Sequence, residues 1–376
     1  TFGLPSAGAA FAATTGQLPV ARGLLGLGGA ATMPATLAVL GNVFPDHERG
    51  RAIAIWSGVS AIAGAAGPIV GGFLLAHFWW GSVFLVNVPV TLAVLAAAAR
   101  LVPDSKDPAT PPIDWLGSLV WTAALALLLF AFIEGGEQGW TSPVVVGPIL
   151  GGLALLGAFA WWERRTAHPL LAPAAVADHR MQAGMVAVPV IFFAVFGTQF
   201  ILTQWLQGVR GLSPLLAGVC FVPHAVAVLV GSLSSTRMVV RFGLGRTAAG
   251  GLLVLAGSLL LAASAHTSAA PVIVALALAG FGVGFACPPG VELIMGSVPP
   301  EHAGQAAGVN ETIVEAGGAF GIAVLGSVLA FVAGGPINPD ALDGAAGAAA
   351  RQEFTDALAA PFVVAAVVLV VAAAVV

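Results

Sequence analysis

Apolar runs of about 20 residues, broken by short polar turns, repeat along the whole chain. A helix needs about 20 apolar residues to cross the hydrocarbon core of a bilayer. On that rule the spans fall at residues 1–14 (partial), 18–43, 52–76, 80–100, 114–134, 144–163, 182–206, 214–236, 246–266, 270–296, 304–332 and 357–376. Glycine and proline inside these runs do not count against helix, because membrane helices tolerate both. The pattern predicts an all-α membrane protein with about twelve spans, surrounded by lipid on most sides.

Composition sharpens that class. Only 13 basic and 17 acidic residues occur among 376, with 59 % hydrophobic residues and a mean hydropathy of +0.99. A soluble protein of this size could not cover its surface with so few charges. No metal-ligand spacing, nucleophile elbow or phosphate loop is visible, so no catalytic group, metal or cofactor is expected. Nor is there a basic surface for nucleic acid. Cys220 and Cys287 both lie inside apolar runs, where a disulfide framework is not expected. The chain opens on Thr1, inside a helix as we read it, with upstream helices expected before it.

The position of the charges gives the orientation. Arg49, Arg51, Arg100, Lys106, Arg164, Arg165, Arg180, Arg237, Arg241 and Arg246 fall on one set of alternate loops. The other set holds only Arg210 and Arg351, while Arg22 lies inside a span. The positive-inside rule makes the first set cytoplasmic. Trp79, Trp80, Trp140 and Trp205 then fall at outer ends, and Trp115, Trp161 and Trp162 at inner ends, as interfacial aromatic belts. The 297–303 loop should be cytoplasmic but carries only Glu301 and His302.

Two regions about 255 residues apart read alike: GLLGLGGAATMPATLAVLGNVFPDHERGRA, Gly23 to Ala52, and GFGVGFACPPGVELIMGSVPPEHAGQA, Gly280 to Ala306. Each runs from a Gly-rich helix through V-x-P-[DE]-H into Gly and Ala opening the next helix. Both turns lie on the same membrane side, as in a two-bundle transporter built from parallel halves.

Several residues carry chemistry in their own right. Glu311 and Glu315 stand one helical turn apart on one face. At 1.5 Å per residue from Ala303 they lie about 12 and 18 Å deep. Two carboxylates at that depth cannot cheaply both be ionised, which suits a proton carrier or a site for a cationic drug. Asn310, Gly317, Gly318 and Gly321 beside them suggest a cavity wall. Glu292 is a further embedded acid, while Glu134 sits near an outer end. His224 titrates near neutral pH when exposed; buried, a lone histidine is more often a hydrogen-bonded core residue. Gln199, Gln204 and Gln207 offer uncharged polar contacts, and Phe192, Phe193 and Phe196 a greasy wall or ordinary packing.

Particular motifs then match a known family. VARGLLGLGGAA (Val20 to Ala31), GAAGPIVGGFL (Gly64 to Leu74), NVP (Asn87 to Pro89), IDWLG (Ile113 to Gly117), WLQGVRGLSPLLAGVCFVP (Trp205 to Pro223) and GVNETIVEAGGAFGIAVLGSVL (Gly308 to Leu329) resemble the major facilitator superfamily, specifically its fourteen-helix drug:proton antiporter branch. The sequence departs from that pattern at Val314, where a basic residue is usual, and at Trp79-Trp80-Gly81, where Trp-Arg-Trp is usual. The resemblance makes the spans helices 3 to 14 of 14. It implies an N-terminal bundle remnant over 1–100, a linker hairpin and cytoplasmic loop over 101–180, and a C-terminal bundle over 181–376.

The resemblance also implies roles. Arg22 would join Glu311, Glu315 and Glu292 in proton coupling. Gly64, Gly67, Pro68, Gly71 and Gly72 would form the exporter motif, a bendable seam between bundles; glycines at i and i+4 allow close backbone approach, and proline removes a helical hydrogen bond. Phe193, Gln199, Gln204, His224 and Asn310 would line the substrate path. Arg237, Arg241 and Arg246 would form a cytoplasmic gating loop, although positive-inside anchoring also explains them. The expectation is a proton-coupled exporter of amphipathic or cationic drugs, acting as a monomer in the bacterial plasma membrane and performing no catalysis. A facilitator-type nutrient importer, an exporter of lipid-like or secondary-metabolite molecules, and a membrane-embedded lipid transferase stay open beside it.

Overall fold

The computed structural model describes residues 2–14, 16–101, 114–166, 169–170, 177–264, 269–299, 302–335 and 347–376. Thr1, Lys106, Ile113 and Glu301, named above, lie outside them. Among the described residues the structure is helical, with no strand.

Every expected span but the first is helical through most of its length. The first is the eight-residue α1 (Gly3–Ala10). There follow α2 (Gln17–Val43), α3 (Asp46–His77), the single turn α4 (Ser82–Leu85), α5 (Asn87–Leu101), α6 (Trp115–Gln138) and α7 (Pro143–Glu163). Beyond a break come α8 (His179–Gln204), with a wide π-helical turn at Trp205–Val209, then α9 (Pro214–Cys220), α10 (Val222–Phe242) and α11 (Leu244–Ser264). The chain ends in α12 (Ala269–Met295), α13 (Ala303–Val332), α14 (Gly347–Ala357) and α15 (Ala359–Val375). Nine helical runs among the described residues are long and apolar enough to cross a membrane.

Local chemistry explains where the helices stop. Pro214 opens α9, where its missing N–H is no loss, and the Ser213 hydroxyl caps it by accepting the Leu216 amide hydrogen at 3.4 Å. Pro223 has no amide hydrogen to continue the α9 ladder, and the helix breaks at Phe221. Gly139, with φ 84°, ends α6, and Gly243, with φ 85°, makes the tight corner between α10 and α11.

Among the described residues the main buried cluster runs from Met181 to Ala372 in the C-terminal half, with Leu37 and Ile53 joining it from earlier helices. Helix α12 is its axis, packed on α8, α10 and α11. Small residues set those distances. A Cβ on Gly280 or Gly284 would run into the His224 or Val228 carbonyl oxygen of α10, and one on Gly282 would lie 2.7 Å from the Leu255 amide of α11. Without a hydrophobic drive between helices in lipid, such close backbone approach is what holds them. Few residues of α4 to α7 are buried inside the protein, as expected of lipid-facing helices.

Helix α3 runs along the C-terminal half, against α9 and α10. Gly72 meets Leu215 at one end of this contact and Gly58 meets Leu229 at the other.

Candidate functional site

Helix α13 carries Glu311 and Glu315 and touches α2, α6, α8, α12, α14 and α15. Its seam with α8 is made of glycine. A Cβ on Gly317 would strike the Pro189 carbonyl oxygen, one on Gly321 the Phe193 carbonyl oxygen, and one on Gly197 would lie 2.5 Å from the Gly321 oxygen. This seam fixes how α13 is turned and therefore which way its acids point.

The two carboxylates are placed differently by that rotation. Glu311 is 9 % exposed and Asn310 fully buried, whereas Glu315, one turn on, is exposed. The Asn310 amide nitrogen donates to Glu311 Oε1 at 3.5 Å. The Asn310 side-chain oxygen, Oδ1, is buried without a hydrogen-bond partner among the described residues. Among the described residues no cation pairs with Glu311. A charge buried without a counter-ion is costly, so protonation of Glu311 and its burial are linked. Glu292, half-buried, lies in the inner part of α12 beyond the Pro288–Pro289 pair.

The other expected residues are scattered by comparison. Arg22 is exposed in the second turn of α2 and forms no ion pair with a described residue. Arg237, Arg241 and Arg246 are exposed around the α10–α11 corner, with the Arg241 guanidinium 5.3 Å from the Phe242 ring centre. Gln199 and His224 come together at one small cavity, whose volume of about 10 Å³ admits no drug. Phe193 is half-buried with its backbone against Gly321, and Gln204 is half-buried at the end of α8.

The glycine motif of α3 differs from expectation in a specific way. Close backbone approach occurs only at Gly72, where a Cβ would lie 3.0 Å from the Leu215 amide nitrogen. A Cβ on Gly64, Gly67 or Gly71 would meet nothing within 4 Å. These glycines carry open space here, not a packed seam.

Trp205 also corrects the sequence reading. It is fully buried, not interfacial, and the Arg210 guanidinium caps its ring at 4.7 Å. Trp79, Trp80, Trp115, Trp140 and Trp161 are exposed, as a belt requires. Sequence reasoning missed the contact of Trp162 with Asp114, which joins α6 to α7. The Asp-Trp pair of IDWLG marked the position of Asp114 but not its partner, 48 residues on.

Long apolar helices stacked through glycine seams define a polytopic helical membrane protein. The chain belongs to the Major Facilitator Superfamily, whose family model matches residues 1–322. It is a multi-pass protein of the bacterial plasma membrane. The multidrug resistance protein Stp of Mycobacterium tuberculosis is 35 % identical over 331 residues, which cover 88 % of this chain and 62 % of that one. The multidrug efflux pump LfrA of Mycolicibacterium smegmatis is 34 % identical, over 87 % of this chain and 65 % of its own. The tetracenomycin C resistance and export protein of Streptomyces glaucescens is 32 % identical, over 88 % and 62 %. The chain thus spans somewhat less than two thirds of these relatives' length. Among solved structures, an inward-facing bacterial homologue of the human lysosomal transporter Spinster matches all of the chain and 79 % of its own, at a TM-score of 0.54 and 18 % identity. An auto-inhibited POT family peptide transporter matches 99 % of the chain and 81 % of its own, at 0.55 and 17 %. These two show the fold alone.

Proposed function

We propose that the chain works as a proton-coupled secondary exporter, carrying amphipathic, cationic drugs or antibiotics out across the plasma membrane. The observation that carries this reading is Glu311: a carboxylate buried on α13, bonded to a neutral amide, one turn from the exposed Glu315. An acid so placed can take a proton from one side and release it to the other as its surroundings change. The names of the relatives support the drug-like cargo.

In this reading residues 1–100 belong to the N-terminal bundle, 101–180 form the linker hairpin and loop, and 181–376 form the C-terminal bundle. The bundles rock against each other along α3, α9 and α10, and the substrate path runs beside α13. Glu311 and Glu315 carry the proton, with Arg22 and Glu292 as secondary members of the relay. The open glycines Gly64, Gly67 and Gly71 leave room for α3 to close on its neighbours in another state. The protein acts as a monomer and performs no catalysis.

Ethidium accumulation in cells expressing the protein tests this. Accumulation below that of the empty-vector control, restored by a protonophore, is expected. Equal accumulation across ethidium and a panel of hydrophobic cations, with the protein in the membrane, would exclude it.

A further inference from the structure

Away from α13, a second polar group is buried that transport in this reading does not use. His224 lies in the first turn of α10 and is 8 % exposed. Its Nδ1 is 3.0 Å from the Leu276 carbonyl oxygen of α12. A carbonyl only accepts, so in the neutral ring Nδ1 carries the hydrogen and Nε2 keeps a lone pair. Nε2 has no hydrogen-bond partner among the described residues.

The ring lines a cavity of about 10 Å³, walled by α8, α10, α11, α12 and α15. That is room for one water molecule. The wall is apolar except for His224, Thr198, Gln199 and Ser258. Thr198 and Ser258 are buried, and both spend their hydroxyl hydrogens on carbonyls of their own helix. Thr198 reaches two such oxygens, of Ala194 and Val195, while Ser258 makes one bond, to Leu255 at 2.7 Å. A hydroxyl has one hydrogen to give, so both oxygens keep lone pairs that can accept from inside the cavity. Gln199 is the one half-exposed member of the wall and marks the way in.

We propose that this cavity holds a single ordered water, which donates one hydrogen to His224 Nε2 and the other to Ser258 Oγ. The ring nitrogen and hydroxyl acceptors that face this one small space need a species with two hydrogens to give. No titratable group other than His224 lines the wall, so an ion there would have no counter-charge. The water joins α10 to α11, and with the Leu276 bond it locks three helices of the C-terminal half to one histidine. A rigid unit of this kind moves as a body.

The test uses the chain in lipid nanodiscs. A structure at a resolution that shows waters is expected to place one peak at about 2.7–3.2 Å from both Nε2 and Ser258 Oγ. A thermal double-mutant cycle gives a second reading. His224→Asn retains an amide donor for Leu276 but removes the Nε2 acceptor, and Ser258→Ala removes the hydroxyl acceptor of α11. Each should lower Tm by about 2 °C, and the double variant should fall no further than either single one, because all three lose the same water. An empty cavity, or losses that add, overturns the proposal.

Discussion

Asp114 holds the inner ends of α6 and α7 together through Trp162. One carboxylate oxygen accepts the indole N–H of Trp162 at 2.8 Å. The other caps α6 by accepting the Gly117 amide hydrogen at 2.8 Å. One side chain therefore both starts a helix and fixes its neighbour. The flanking rings of Trp121 and Phe159, 4.9 Å apart, continue the contact up the hairpin.

Replacing either partner should loosen this end of the hairpin. Asp114→Ala removes the cap and the tie and should cost about 2–3 kcal/mol, from a cap of about 1 and a charge-assisted bond of about 1.5 or more. Trp162→Phe should cost less, since the cap survives. Thermal unfolding is the measurement, and equal losses for the two variants would show that the tie, not the cap, carries the energy.

The glycines divide into two groups that should answer differently to the same change. Gly321→Ala drives a methyl group into the Phe193 carbonyl oxygen and must push α8 from α13; about 1–3 kcal/mol is expected for such overpacking. Gly67→Ala meets nothing within 4 Å and should leave Tm unchanged. If α3 closes on a neighbour during transport, Gly67→Ala should nonetheless slow drug efflux. Normal efflux in Gly67→Ala would remove that role.

The hairpin also leans on the acid-bearing helix. Phe132 of α6 stands edge-on to Phe320 of α13 with ring centres 5.4 Å apart, and Ser327 Oγ donates to the Phe132 carbonyl at 3.3 Å. Phe320→Ala should lower Tm by more than the exposed control Val240→Ala, because an aromatic pair contributes about 0.5–1.5 kcal/mol beyond its buried area. Comparable Tm values for the two would mean that α6 is not held there.

The spans were legible because a run of about 20 apolar residues has one economical fate in a bilayer. What the chain could not display is which side of each helix faces lipid. In a soluble helix a polar face marks the outside; helices apolar all round carry no such stripe. Trp205 shows the consequence: an outer-end position suggested a belt, and the structure buries it under Arg210. The same holds for glycine. Gly67–Gly71 in α3 and Gly317–Gly321 in α13 have identical spacing, yet only the second pair closes a seam. Spacing reports the capacity for close approach, while the presence of a partner helix is a tertiary fact. Glu311 and Glu315 were found from the cost of charge at depth, but their unequal exposure follows from the rotation of α13 set by that seam.

Proton release on substrate addition tests the central claim most directly. Inverted vesicles carrying the protein are energised with a proton gradient, ethidium is added, and collapse of the gradient is followed for the wild type, Glu311→Gln and Glu315→Gln. The account predicts ethidium-dependent collapse in the wild type and none in Glu311→Gln, with protein levels in the membrane equal. Collapse of the same size in Glu311→Gln would contradict it and leave the buried glutamate a structural residue.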